Sequence, residues 1–88
     1  MEYEWDPKKA AANLAKHGVA FERVAQFEWN EAEIEEDDRS PYGERRFYAL
    51  GMIDGRIHAL IFTMRGEAVR VISLRKANDR ERRRYEQG

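Results

Sequence analysis

Between Arg46 and Leu74 the sequence is punctuated so regularly that an antiparallel meander is hard to avoid. Arg46-Phe-Tyr-Ala-Leu-Gly-Met-Ile53 and Arg56-Ile-His-Ala-Leu-Ile-Phe-Thr-Met64 are apolar runs joined by Asp54-Gly55. An Asp-Gly pair between such runs is the strongest short hairpin signal, because a type I′ turn needs two residues at positive φ. Arg65-Gly66-Glu67 makes the next turn, into Ala68-Val-Arg-Val-Ile-Ser-Leu74. On the middle run Ile57, Ala59 and Ile61 alternate with His58, Leu60 and Phe62, and both sets are largely apolar. That strand is therefore expected to be covered on both faces.

The first half reads less sharply. Glu2-Tyr-Glu-Trp5 alternates polar and aromatic residues and suits a short strand. Asp6-Pro7 then opens a helix, since Asp caps well and Pro is pre-set for the first helical position. The helix continues to His17 and stops at Gly18, the residue expected past a C-terminus. A second helix over residues 21–28 offers Phe21, Val24, Ala25 and Phe27 as its apolar side, and Ala32-Glu-Ile-Glu-Glu36 alternates weakly as a strand. Ser40-Pro-Tyr-Gly43 reads as a turn. The expected fold is α+β, with two N-terminal helices packed on an antiparallel sheet and a helix after it.

Eighty-eight residues, 42% of them hydrophobic, suffice for one domain with one modest core, taken as residues 1–88. The absence of cysteine removes disulfides, cysteine-based zinc sites and thiol nucleophiles. No apolar run approaches the roughly 20 residues that span a bilayer, so no membrane role is expected. Met1-Glu-Tyr-Glu-Trp-Asp6 lacks the pattern of a secretory signal, and a cytoplasmic protein is expected.

Charge is divided unevenly. Residues 1–44 carry 5 Lys/Arg against 12 Asp/Glu, and residues 45–88 carry 11 against 5, so the halves stand at −7 and +6. Glu28 to Asp38 holds seven acids and no base. The basic excess gathers at the end, where Arg75 to Arg84 contains six Lys/Arg against Asp79 and Glu81. That segment leaves the last strand and becomes a short helix: Asn78 can cap it and Glu81 can reach back to close a capping box. Its surface carries Arg80, Arg82, Arg83, Arg84 and one aromatic, Tyr85. A helix with so little apolar surface needs another reason to be held, and phosphate groups reward planar guanidinium groups most. The plainer reading is a solvated helix laced with pairs such as Glu81 with Tyr85 and Arg82 with Glu86.

Three stretches carry a resemblance: Asn13-Leu-Ala-Lys-His-Gly-Val-Ala-Phe21, Glu44-Arg-Arg-Phe-Tyr-Ala-Leu-Gly51, and Val71-Ile-Ser-Leu-Arg-Lys-Ala77 with Glu81-Arg-Arg-Arg-Tyr-Glu86. Together, and with spacing held across essentially the whole chain, they resemble the BrnT toxin family. The resemblance implies a RelE-like fold and the activity of a type II ribonuclease toxin. It also implies neutralisation by a BrnA-like antitoxin, whose ribbon-helix-helix domain would carry the complex to operator DNA. No cofactor is implied.

The residues allow that chemistry without a metal. His17 and His58 are the only imidazoles, and neither stands beside an acid cluster in a ligand spacing. Asp37-Asp38 suits a solvated acidic loop better than a cation site. His58 suits a satisfied core histidine, and His17 lies in the last turn of its helix, where a positive charge meets the dipole favourably. RNA supplies its own nucleophile: the 2′-hydroxyl attacks the adjacent phosphate, and preorganised cations can stabilise the extra negative charge. Arg80 and Arg84 share a helical face, Arg75 and Lys76 leave the strand near the helix start, and Arg65 is expected to join from the preceding turn. Tyr85 can stack on a base or move a proton. The candidates for chemistry are thus Arg65, Arg75, Lys76, Arg80, Arg84 and Tyr85, and for RNA binding Arg75, Lys76, Arg80, Arg83 and Arg84, with no metal ligand among them. Arg82 points away, and Trp5 and Trp29 read as core or partner anchors. Two other readings remain: a non-catalytic module that holds RNA, DNA or an acidic protein, and an inactive toxin homologue acting as co-repressor.

Overall fold

The computed structural model describes residues 1–38 and 43–88, so the turn expected at Ser40–Gly43 lies, apart from Gly43, outside the described residues. Five strands form one sheet: β1 (Glu2–Glu4), β2 (Glu33–Asp37), β3 (Arg46–Ile53), β4 (Arg56–Arg65) and β5 (Ala68–Lys76). Their order is β1-β5-β4-β3-β2. The meander β3–β4–β5 is antiparallel as the turns require, and Asp54 (φ 50) and Gly55 (φ 75) supply the two positive φ values of its first hairpin. The N-terminal strand departs from expectation: β1 pairs parallel to β5, so the sheet is mixed rather than antiparallel. A bulge between Ile61 and Phe62 leaves Ile72 without a partner on β4.

Helix α1 (Pro7–His17) has the predicted cap, with Asp6 Oδ1 accepting from the Lys8 amide at 2.8 Å. It lies on one face of the sheet beside β5, and Asn13 fixes it there. The Asn13 amide donates to the carbonyls of Leu74 (2.7 Å) and Val19 (3.0 Å), and its oxygen accepts from the Leu74 amide at 3.3 Å. Because β1 pairs only with Ala68–Arg70, this side chain satisfies main-chain groups of β5 beyond the end of β1.

The second helix expected over residues 21–28 is shorter and tighter, a 3₁₀ segment over Phe21–Gln26. Phe21 and Val24 are its core residues, while Phe27 follows it in extended conformation. A side chain at Gly51 would collide with the Phe27 ring, the nearest atom standing 2.5 Å from an ideal Cβ. A bare backbone on β3 thus lets that ring settle. Around it, Trp29 packs edge-on against Phe27 and Phe62 and donates its indole N–H to the Tyr3 hydroxyl at 2.8 Å, and Trp5 packs edge-on against Phe21. Both tryptophans anchor the core.

The opposite face of the sheet carries helix α2 (Asp79–Glu86) over a much smaller cluster of Leu50, Ala59 and Ala77, edged by Tyr48, Ile57 and Tyr85. The central strand is covered on both sides, but unequally. So small an apolar contact contributes only a few kcal/mol at about 25 cal/mol per Å². Polar contacts have to fix the helix.

Candidate functional site

The capping box at the start of α2 forms. Asn78 Oδ1 accepts from the Glu81 amide at 2.8 Å, and Glu81 Oε1 accepts from the Asn78 amide at 3.0 Å. Glu81 does more than cap. Only 8% exposed, it receives a two-pronged grip from Arg75, with Nη1 at 2.7 Å from Oε1 and Nη2 at 3.0 Å from Oε2. The Tyr48 hydroxyl of β3 donates to Oε2 as well. Burial alone would push this carboxyl up, but Arg75, Tyr48 and the Asn78 amide outweigh it and hold it down at about 2. Tyr48 moves the other way: burial and then the Glu81 carboxylate push its phenol up to about 12. At neutral pH the pair is therefore a fixed carboxylate and a fixed phenol. Its chemistry is to position Arg75 and the helix, not to exchange protons.

Beside this network Arg80 and Arg84 line an open cavity of about 640 Å³ with Tyr48, Asn78 and Glu81, and three acids of the edge strand, Glu35, Glu36 and Asp37, line it too. The i,i+4 spacing does bring both guanidinium groups to one hollow. Arg84 Nη2 donates to Glu35 Oε2 of the edge strand at 2.9 Å, with both side chains about half exposed, so the pair is easily exchanged for another anion. Arg80 has no partner among the described residues, and neither does the exposed Arg83. Glu33, Glu35 and Asp37 stand opposite Leu50, Tyr48 and Arg46 of β3. The acidic stretch is thus folded against the rim of the basic helix.

Other expected members are placed differently. Arg65 sits at the β4–β5 turn, in register with Ala68, whereas Lys76 pairs with His58 at the far end of the same strands. Eight residues of β5 separate the two ends, roughly 26 Å at about 3.3 Å per residue, so Arg65 does not join the basic helix. Lys76 is exposed and shares its sheet face with His58, opposite to the face that carries Arg75 and α2. Tyr85 is half buried, its ring is part of the small cluster under α2, and its hydroxyl donates to the Glu31 carbonyl at 3.1 Å. Burial first, then nearby acids, raise its phenol. Arg82 pairs with Asp79 rather than Glu86. For His17, burial, Lys16 and Arg75 lower the imidazole, opposite in direction to the help a helix end gives a positive charge. His58 is buried and its Nδ1 faces the Arg56 carbonyl at 2.9 Å, a satisfied core histidine on that side of the ring.

Tyr48 is the member that sequence reasoning missed. It lies on a strand that already explains an aromatic, and nothing local ties it to Glu81, 33 residues on. Among the described residues no group of three or more His, Cys, Asp or Glu is placed to hold a metal. No helix among them is long and apolar enough to cross a membrane.

A family model described as the ribonuclease toxin, BrnT, of type II toxin–antitoxin systems matches residues 5–81. The chain belongs to the BrnT family. The matched span takes in strands β2 to β5, Arg75, Lys76 and the Asn78–Glu81 box with Arg80; it begins after β1 and ends before Arg82 to Tyr85. A search of curated proteins found no match to the chain. Membership makes it a ribonuclease toxin of a type II system by family, and an antitoxin and an RNA follow from that class.

Proposed function

We propose that this BrnT-family protein cleaves RNA in the cytoplasm without a metal ion, arresting translation and growth until a BrnA-like antitoxin covers it. The observation that carries the reading is the pairing of Arg80 and Arg84 on one wall of an open cavity, braced from beneath by the Arg75–Glu81–Tyr48 network. A phosphate seated there displaces Glu35 from Arg84 and meets a second guanidinium in Arg80. As the 2′-hydroxyl attacks, both hold the charge that grows on the phosphoryl oxygens. Arg83 and Lys76 hold the strand on either side, Arg75 keeps its grip on Glu81, and Tyr85 anchors the helix. A RelE-like layout fits the sheet with its helices.

Cleavage in EDTA tests the mechanism. Purified protein is expected to cut RNA in excess EDTA and to leave a 2′,3′-cyclic or 3′-phosphate and a 5′-hydroxyl. Activity lost in EDTA and restored by Mg²⁺ or Zn²⁺ makes the mechanism a metal-assisted one instead.

One observation favours a second reading, in which the helix binds without cutting: Arg75 and Arg84 already have acid partners inside the molecule. The antitoxin separates the two. A small ribbon-helix-helix protein encoded beside this one, rich in acids where it meets Arg80 and Arg83, is expected to co-purify with it, to relieve growth arrest, and to carry the complex to operator DNA. A protein that runs alone and leaves its host unharmed when overexpressed is no toxin.

A further inference from the structure

On the other face of the sheet, beneath the β3–β4 turn, lies a second open cavity of about 610 Å³. Its walls include His58, Arg23, Arg56 and Lys76, with Asp54 at the rim and Leu14, on α1, opposite. His58 is only 4% exposed. Its Nδ1 hydrogen bonds to the Arg56 carbonyl, which can only accept, so the proton sits on Nδ1 and Nε2 carries a bare lone pair. No group among the described residues satisfies that nitrogen.

The surroundings are cationic and under-compensated. Arg56 and Lys76 have no acid partner among the described residues, and Arg23 holds only the exposed Asp54, at 2.7 Å. Three cations against one solvated acid leave the cavity in want of an anion, and His58 Nε2, an acceptor while the ring is neutral, becomes a donor to that anion once it takes up a proton. We infer that this cavity binds a phosphate group, held by Arg23, Arg56 and Lys76, with His58 Nε2 as its proton-linked fourth contact. That the phosphate belongs to an RNA strand rests on the ribonuclease reading. Lys76, next in sequence to Arg75, would let one strand pass from the basic helix round the end of the sheet.

The electrostatics agree. Burial lowers the His58 imidazole, the Arg56 carbonyl opposes this, and Arg23, Lys76 and Arg56 lower it further. An arriving anion offsets the three cations and offers an oxygen to a protonated Nε2, so the ring's affinity for a proton rises on binding. Binding and protonation at His58 then strengthen each other.

Imidazole NMR spectra of the full chain test this with two probes: inorganic phosphate, and a 2′-O-methyl oligonucleotide without terminal phosphates, which lacks the internal nucleophile. Each is expected to shift His58 saturably and to raise its pKa. Arg56→Gln should weaken the effect roughly tenfold or more, as a lost charge-assisted contact does, and Lys8→Gln, which removes a charge elsewhere, should not. A response to both probes makes the chain phosphodiester the ligand, and a response to phosphate alone makes it a terminal or free phosphate. An unmoved His58, or a response equal in Arg56→Gln and Lys8→Gln, overturns the site. Because the readout is binding, it is independent of cleavage. Active protein with a silent His58 refutes this inference alone, and inactive protein with a responsive His58 refutes only the ribonuclease reading.

Discussion

Glu81→Ala is expected to lower the stability of the fold by about 3–5 kcal/mol, the range for breaking a buried ion pair from one side. The change removes the cap from the Asn78 amide, leaves the Arg75 guanidinium half buried without its carboxylate, and strands the Tyr48 hydroxyl. Because α2 rests on so small an apolar cluster, little else retains it. Urea unfolding measures the loss, and an unchanged midpoint would show that α2 is held by other means. The pH dependence follows from the same group. Its carboxyl sits at about 2 in the fold against an ordinary 4.5, so its stabilisation is complete above about pH 4.5 and lost as pH falls toward 2. The span corresponds to about 3 kcal/mol. Glu81→Gln should flatten that acid limb. Both histidines act in a higher window: each is held below its ordinary 6.5, so the fold also loses stability as pH falls through that value, and Glu81→Gln leaves this limb in place.

What could be read from the sequence follows from how local its cause is. The meander was legible because Asp54-Gly55 and Arg65-Gly66-Glu67 fix their turns without help. The cap of α1 and the capping box of α2 were legible for the same reason. Parallel pairing of β1 with β5 was not, since it joins Tyr3 to Val69 and no neighbouring residue announces it. The second helix shortened because Phe27 leaves it for the bare backbone of Gly51, a demand made from β3. Arg65 stands ten residues before Arg75 in sequence, yet the strand between them carries it to the opposite end of the sheet. The basic helix was visible as a charge run, but what holds it was not. The sequence left open whether a phosphate holds this helix or it is a solvated face laced with ion pairs, whereas Glu81, Arg75 and Tyr48 hold it from within. Of its arginines, Arg80 and Arg83 are left without an internal partner among the described residues, and Arg84 holds only the half-exposed Glu35.

Arg80→Ala and Arg84→Ala are expected to lower single-turnover cleavage at saturating RNA by about a hundredfold or more each, while weakening RNA binding much less. Only an interaction that is stronger in the transition state than in the ground state accelerates the chemical step. Arg80 lines the cavity without an internal partner among the described residues, so its loss breaks no contact within the fold and should act chiefly on the rate. Arg84 must first leave Glu35, which adds an internal check: Glu35→Gln should tighten RNA binding by releasing Arg84, and should do nothing in the Arg84→Ala background. Arg82 is the control on the same helix. It lies about 160–200° around the axis from Arg80 and Arg84 and pairs with Asp79, so Arg82→Ala should change the rate by less than about threefold. If the arginines merely hold phosphate, Arg80→Ala and Arg84→Ala each weaken binding and reduce the salt slope by roughly one contact, with the saturated rate unchanged. Equal losses in all three variants would leave a helix that binds RNA through its general charge and has no part in the chemistry.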